Sequence, residues 1–270
     1  MTVDPLRLVN CLDVIRSFVV SRSDFHFGYL SHALAAELDC YLQEVYGQIQ
    51  DFEESVTSKT DLVDSLKPLQ QMSNFVRPIY NQTVLVKDLC IELIKSNARG
   101  ATILSILHEK AVNSAGHFAG QHILYFLTRE TAKPYLKMIT LWIQKGVLKD
   151  DHNEFMINGK LLSHYFYYPM PSSSAREELG KEKLQNVYND SYWEQHYSIV
   201  RERIPRFLEP FAEKILNTGK YLNVIRECAI SVQTPSGIKQ LEYNMGPNCV
   251  RLFEAPIDHC YKFAAKGNSP

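Results

Sequence analysis

Several things are missing from this sequence, and each absence excludes a class of function. There is almost no net charge: 29 Lys and Arg stand against 30 Asp and Glu, for a formal charge of -1. A near-neutral chain has no long-range electrostatic reason to gather nucleic acid or a membrane surface, so neither is expected as a partner. No Cys-x-x-Cys pair occurs among Cys11, Cys40, Cys90, Cys228, Cys249 and Cys260, which reads as a set of reduced, mostly buried thiols in a cytoplasmic protein. No uncharged apolar run is long enough to span a bilayer. The start, "MTVDPLRLVNCLDVIRSFVV", is broken by Asp4, Asp13 and Arg16 and lacks the basic opening and small-residue cleavage site of a secretion signal.

Catalytic and metal-binding spacings are missing as well. His117 and His122 are five positions apart, so one helical face cannot present both to a zinc ion. His108-Glu109 has no second histidine to complete a metalloprotease helix. Cys260 follows His259 directly, but neighbours on a helix point about 100° apart, which argues against a nucleophile–base contact. Asp150-Asp151 beside Lys149 reads as a solvated turn, and Glu53-Glu54 and Glu177-Glu178 as surface charge. No catalytic residue, metal or cofactor is expected.

The stretch "NTGKYLNVIREC" (217–228) is the nearest thing to a nucleotide motif. A phosphate-binding loop needs a glycine five residues before its Gly-Lys and a hydroxyl residue after it. Lys214 and Tyr221 occupy those two positions, so the phosphate reading fails. Gly219, following "FLEPFAEKIL", reads instead as a helix stop, with "KYLNVIREC" as a further helix.

What is present is helical periodicity. Leu30, Leu34, Leu38, Tyr41, Val45, Ile49 and Phe52 draw one apolar stripe. Leu62, Leu66, Leu69, Met72, Val76 and Ile79 draw another, with Pro68 and Pro78 expected to kink or divide it. "VLVKDLCIELIKS" continues as helix to a stop at Asn97-Ala98-Arg99-Gly100, and "ATILSILHEKAV" is a short helix. Residues 119–150 read as two helices divided near Lys133-Pro134, the second ending at Gly146. "HNEFMING" breaks the period and reads as a short extended piece. Residues 158–187 carry Pro169, Pro171 and Ser172 to Ser174 and read as a long surface loop, expected to be mobile over 165–185.

The heaviest aromatic pattern follows. Ser191-Tyr192-Trp193-Glu194 has the form of a capping box. Trp193, Tyr197, Val200, Ile204, Phe207, Phe211 and Ile215 then form a stripe expected to be a helix bent at Pro205 and Pro210. Trp142, Trp193, Tyr197, Ile204, Phe207 and Phe211 are expected to be largely buried. Trp142, Tyr192, Trp193, Tyr197, Phe207 and Tyr221 are candidate core or lateral-contact anchors. From Ala229 onward, Pro235, Gly237, Gly246, Pro247 and Pro256 leave room only for short helices. The reading is all-α: an extended multi-helix bundle with a long irregular loop near 158–187, acting as an interaction module.

Two long segments carry a specific resemblance. "PYLKMITLWIQKGVLKDDHNEFMI" (134–157) and "YNDSYWEQHYSIVRERIPRFLEPFAEKILNTGKYLNVIREC" (188–228) resemble the gamma-tubulin complex components, or grip-motif proteins, and the second type in particular. "FHFGYLSHALAAEL" (25–38) and "LSILHE" (104–109) are similar to that family's earlier helices. The likeness covers most of 10–228 and thins from Gly246. Pro210 stands where the family pattern would place a helix former, and 158–187 is longer than the family's connection.

The resemblance implies an amino-terminal grip-type bundle over 1–228, with 229–270 as a truncated, weakly matched continuation. It further implies a non-enzymatic scaffold role in microtubule nucleation at minus ends. Neighbouring components, the third type above all, would be the lateral partners. Gamma-tubulin would be held through a carboxy-terminal region lying outside this stretch. The implied locations are the cytoplasm, cytoskeleton and microtubule organizing center, including centrosome and spindle pole. The alternative is a helical tethering-complex subunit or adaptor unrelated to microtubules.

Overall fold

The computed structural model describes residues 5–57, 67–114, 116–159, 196–227, 241–244 and 249–267. Helix α1 is Pro5–Arg22, α2 Tyr29–Thr57, α3 Lys67–Lys95, α4 Ala101–Asn113 and α5 Phe118–Lys145. A short antiparallel pair follows, β1 Ile157–Gly159 with β2 Tyr197–Ile199, and then α6 Ala212–Glu227 and α7 Cys249–Gly267. Among the described residues the protein is all-α apart from that pair. It forms two compact units, Met1–Ala132 and Lys133–Pro270.

In the first unit α1 packs on α2 and α3, and α4 packs on α2 and α3. The α1 segment, whose charges interrupt its apolar residues, buries Leu8, Cys11, Leu12, Ile15, Phe18, Val19 and Arg22. Those steps of three and one follow a single helical face, so Asp13 and Arg16 fall on the exposed side while Arg22 ends the buried one. Of the α2 stripe, Leu30, Leu34, Leu38 and Val45 are buried and Tyr41 is half-buried, while its far end rests on a stacked Phe52–Phe75 pair with centroids 4.3 Å apart. Thr83 donates to the Ile79 carbonyl at 2.8 Å, which leaves the Tyr41 hydroxyl to donate to Thr83 Oγ1 at 3.0 Å. Every polar atom of that buried contact is thereby satisfied.

Prolines divide fewer helices than expected. Pro78 lies inside α3, which continues unbroken to Lys95; it ends where Asn97 takes a left-handed φ of 45°. Pro134 likewise lies inside α5, which is one helix and not two. A proline removes one donor and crowds one carbonyl, but Ala132, Tyr135, Leu136 and Ile139 around it are all buried. Packing outweighs the local penalty there.

The second unit departs further from the sequence pattern. Tyr197 to Ile199 is a strand in register with β1, Ile157 opposite Ile199 and Gly159 opposite Tyr197. Asn158 and Gly159 therefore belong to a strand and not to the long loop, the rest of which lies outside the described residues, as does the Ser191–Glu194 capping box. Two 3-10 turns, Arg201–Arg203 and Arg206–Phe211, replace the expected bent helix. Pro205 separates the two turns: the residue before a proline is pushed toward extended backbone, and Ile204 adopts φ -95° and ψ 118°, whereas Pro210 lies inside the second turn. Phe207 and Phe211 are buried as expected, whereas Tyr197 and Ile204 are only half-buried. A two-stranded ribbon and a single turn cannot cover both sides of a side chain.

Two further corrections concern α6 and α7. The α6 helix runs through Gly219 to Glu227, so Gly219 is not a stop and "KYLNVIREC" is not a separate helix. In α7, a 19-residue helix stands where only short ones were expected, with Pro256 inside it. Phe253, Ile257, Cys260 and Ala264 are buried along it at steps of four, three and four, a stripe strong enough to offset one proline.

Candidate functional site

Trp142 is fully buried near the end of α5. Its indole Nε1 donates to the Ile215 carbonyl of α6 at 2.8 Å. A Cβ built on Gly219 would fall inside the Trp142 ring. Glycine is required there because only a bare α-carbon lets the α6 backbone approach the indole so closely.

The next turn of α6 holds the end of α5. The last carbonyls of any helix lack intrahelical partners, and α5 stops at Gly146, whose φ is +61°. Asn223 Nδ2 donates to the Gly146 carbonyl at 3.0 Å and to the Gly219 carbonyl at 2.9 Å. Arg226 donates to the Lys145 carbonyl and, at 3.2 Å, to Asn223 Oδ1. A cation at a helix C-terminus is also favoured by the helix dipole. Residues 219–226 thus form a helix-to-helix clamp: Gly219 admits the indole, while Asn223 and Arg226 satisfy the orphan carbonyls of Gly146 and Lys145.

The other candidate anchors distribute around this clamp. The Tyr197 ring stands edge-on to Trp142 with centroids 4.9 Å apart. Phe207 belongs to a second cluster, 5.0 Å from Tyr243 and 5.8 Å from Phe253. Tyr221 lies half-buried, 5.9 Å from Tyr261 of α7, and Lys214 bridges α6 to Asp258 of α7 at 2.7 Å. Tyr192 and Trp193 lie outside the described residues. Tyr135, buried against Phe155, donates to the Arg203 carbonyl at 2.8 Å, and burial pushes its phenol well above the ordinary value.

Three of the residues weighed for chemistry have evident structural surroundings. The Cys260 thiol is buried and desolvation pushes it up to about 11, which keeps it protonated and a poor nucleophile. His117 Nδ1 accepts the Gly120 N–H at 2.9 Å, capping the start of α5. Asp150 is not merely solvated: its two carboxylate oxygens accept the Glu154 and Phe155 N–H groups at 2.9 and 2.8 Å, fixing the turn before β1. Neither the His117 cap nor the Asp150 turn was legible beforehand, because both partners are backbone groups. Among the described residues no group of three or more His, Cys, Asp or Glu could hold a metal, and no helix is long and apolar enough to cross a membrane. What this arrangement offers is rigid, cross-braced helical surface.

Comparison with known proteins places the same residues in a family. The family model described as "Gamma tubulin complex component N-terminal" matches residues 5–267. The chain is 30% identical over 252 residues to gamma-tubulin complex component 2 of Mus musculus, covering 93% of this chain and 25% of that protein. It is 33% identical over 211 residues to the gamma-tubulin complex component 2 homolog of Drosophila melanogaster, covering 78% and 22%. It is 27% identical over 258 residues to spindle pole body component alp4 of Schizosaccharomyces pombe, covering 79% and 30%. The chain therefore spans only a quarter or so of the length of these relatives.

Proposed function

This chain belongs to the gamma-tubulin complex component family, whose amino-terminal region it matches, and we propose that it is a non-enzymatic scaffold supporting microtubule nucleation at minus ends. The observation that carries the reading is the family match over 5–267, which runs through both compact units. The clamp at 142–146 and 217–226 supports it, because a scaffold must hold its helices in fixed relation under load.

In this reading the helical units associate side by side with neighbouring components, the third type in particular. Gamma-tubulin is engaged elsewhere in the complex, beyond this stretch. The protein acts at the microtubule organizing center, including the centrosome and spindle pole, and in the surrounding cytoplasm. Its action needs contact surface and no turnover of substrate. The tethering-adaptor alternative gives no account of the family match.

The test is capture by the purified chain of purified gamma-tubulin complex components and, in parallel, of vesicle-tethering subunits. Capture of a component, with the third type strongest, is the expected result. Capture of the tethering subunits alone overturns the reading.

A further inference from the structure

The two helical corners of the first unit, at the α1–α2 and α3–α4 turns, meet around one aromatic ring. The Phe27 ring has the Arg22 guanidinium 4.5 Å from its centroid and that of Arg99 at 5.3 Å. Arg22 is only 6% exposed; its single hydrogen bond is a long one, 3.4 Å from Nη1 to the Ala98 carbonyl. Arg99 is exposed, as is Lys95 four positions before it at the end of α3.

Among the described residues none of these three cations has a carboxylate partner. The acids nearest in the chain make other contacts. Asp24 accepts the His26 N–H at 3.0 Å within its own turn, and Glu92 pairs with Lys110 at 2.6 Å. Burying a guanidinium without a counter-charge is costly, and the faces of Phe18 and Phe27 compensate it only in part. Burial, and then the like charge of Arg99, hold Arg22 below its ordinary pKa.

Exposed apolar side chains occur in the same two chain segments. Val20, Phe25 and Ile94 lie within four residues of Arg22, Phe27 and Ala98 along the chain and are 72%, 59% and 51% exposed. Phe25 is held rigid all the same, stacked on His32 with centroids 4.6 Å apart and planes 12° apart. A preset aromatic two residues from the ring that gathers both guanidinium groups is a surface fitted to an oxyanion on an apolar chain.

We propose that this corner docks an acidic segment of a partner protein, its carboxylates pairing with Arg99 and Lys95 and an apolar side chain settling on Phe25. Arg22 contributes its charge from beneath the ring, where low dielectric weakens screening. The site is independent of the lateral-association reading, because it requires only a peptide and not a neighbouring component.

Fluorescence anisotropy of a labelled glutamate-rich peptide containing one leucine and one phenylalanine tests it, on the full chain. The expected result is saturable binding that weakens with salt and falls about tenfold or more in both Arg99→Glu and Arg99→Gln. Phe25→Ser, or a peptide with glycine in place of the leucine and phenylalanine, should also weaken it. The control Lys262→Glu, an exposed cation of α7, should leave it within about twofold. Thermal melts of the Arg99 variants should not fall below the parent value, since that side chain is exposed and its like charge disfavours charged Arg22. Binding indifferent to Arg99, or no saturable binding, overturns the proposal. So does an Arg99-dependent thermal stabilisation by inorganic phosphate at concentrations where free glutamate has no effect, because the corner would then be a phosphate site.

Discussion

Gly219 sets two physical effects against each other. In a helix interior, glycine to alanine gains about 1 kcal/mol of propensity. Here the added methyl would enter the Trp142 ring, and overpacking a filled core costs about 1–3 kcal/mol or more. Gly219→Ala should therefore destabilise in urea titration, and a rise in midpoint would show that the helices part freely. Asn223→Ala removes donors from two carbonyls and should cost about 1–3 kcal/mol by the same measurement. The thiols give a pH prediction. Burial pushes Cys90 to about 12 and Cys260 to about 11 from 9.0, so each favours the neutral, folded form. Their contribution is complete below pH 9 and is lost as pH rises toward 11 and 12, at up to about 1.4 kcal/mol per pH unit for each group. Cys90→Ala should flatten the alkaline limb of the stability profile. Of Cys11, Cys40, Cys90 and Cys260, only the exposed Cys40 should label in the native state.

At the scale of elements, the legible ones were those whose local pattern and burial agree. The α2 helix and the Asn97 stop of α3 read directly from spacing and turn chemistry. Residues 196–211 did not, because apolar steps of three and four fit a 3-10 turn or an irregular packed segment as well as an α-helix. The β1–β2 pair depends on partners some 40 positions apart, which no local window contains. The turn that launches β1 hangs on Asp150. Asp150→Ala leaves two N–H groups without acceptors and should cost about 1–3 kcal/mol in a thermal melt. An unchanged melt would show that water replaces the carboxylate there.

For the whole molecule, the proposal divides labour between regions: this stretch associates laterally, and gamma-tubulin is captured beyond it. The 270-residue chain added by itself to purified complex components should then occupy lateral positions without supplying a gamma-tubulin. Nucleation counted by microscopy should fall as the dose rises. The contact of one chain is expected to be weak alone and to strengthen when many subunits assemble together. Nucleation that climbs with dose would refute the division.

Sequence by itself determined the helical class, the failure of every phosphate, metal and nucleophile spacing, and the family likeness carried by 134–157 and 188–228. It also marked 217–228 as special while assigning it the wrong role. A glycine after a polar pair has the same letters whether it ends a helix or admits an indole. Only the tertiary structure decided between them, by bringing Trp142 from 77 positions away against Gly219. The same holds for Pro134 and Pro256, whose local cost is fixed by covalent geometry but whose outcome is set by the apolar area buried around them. Local chemistry proposes an ending; packing between distant segments determines whether the helix takes it.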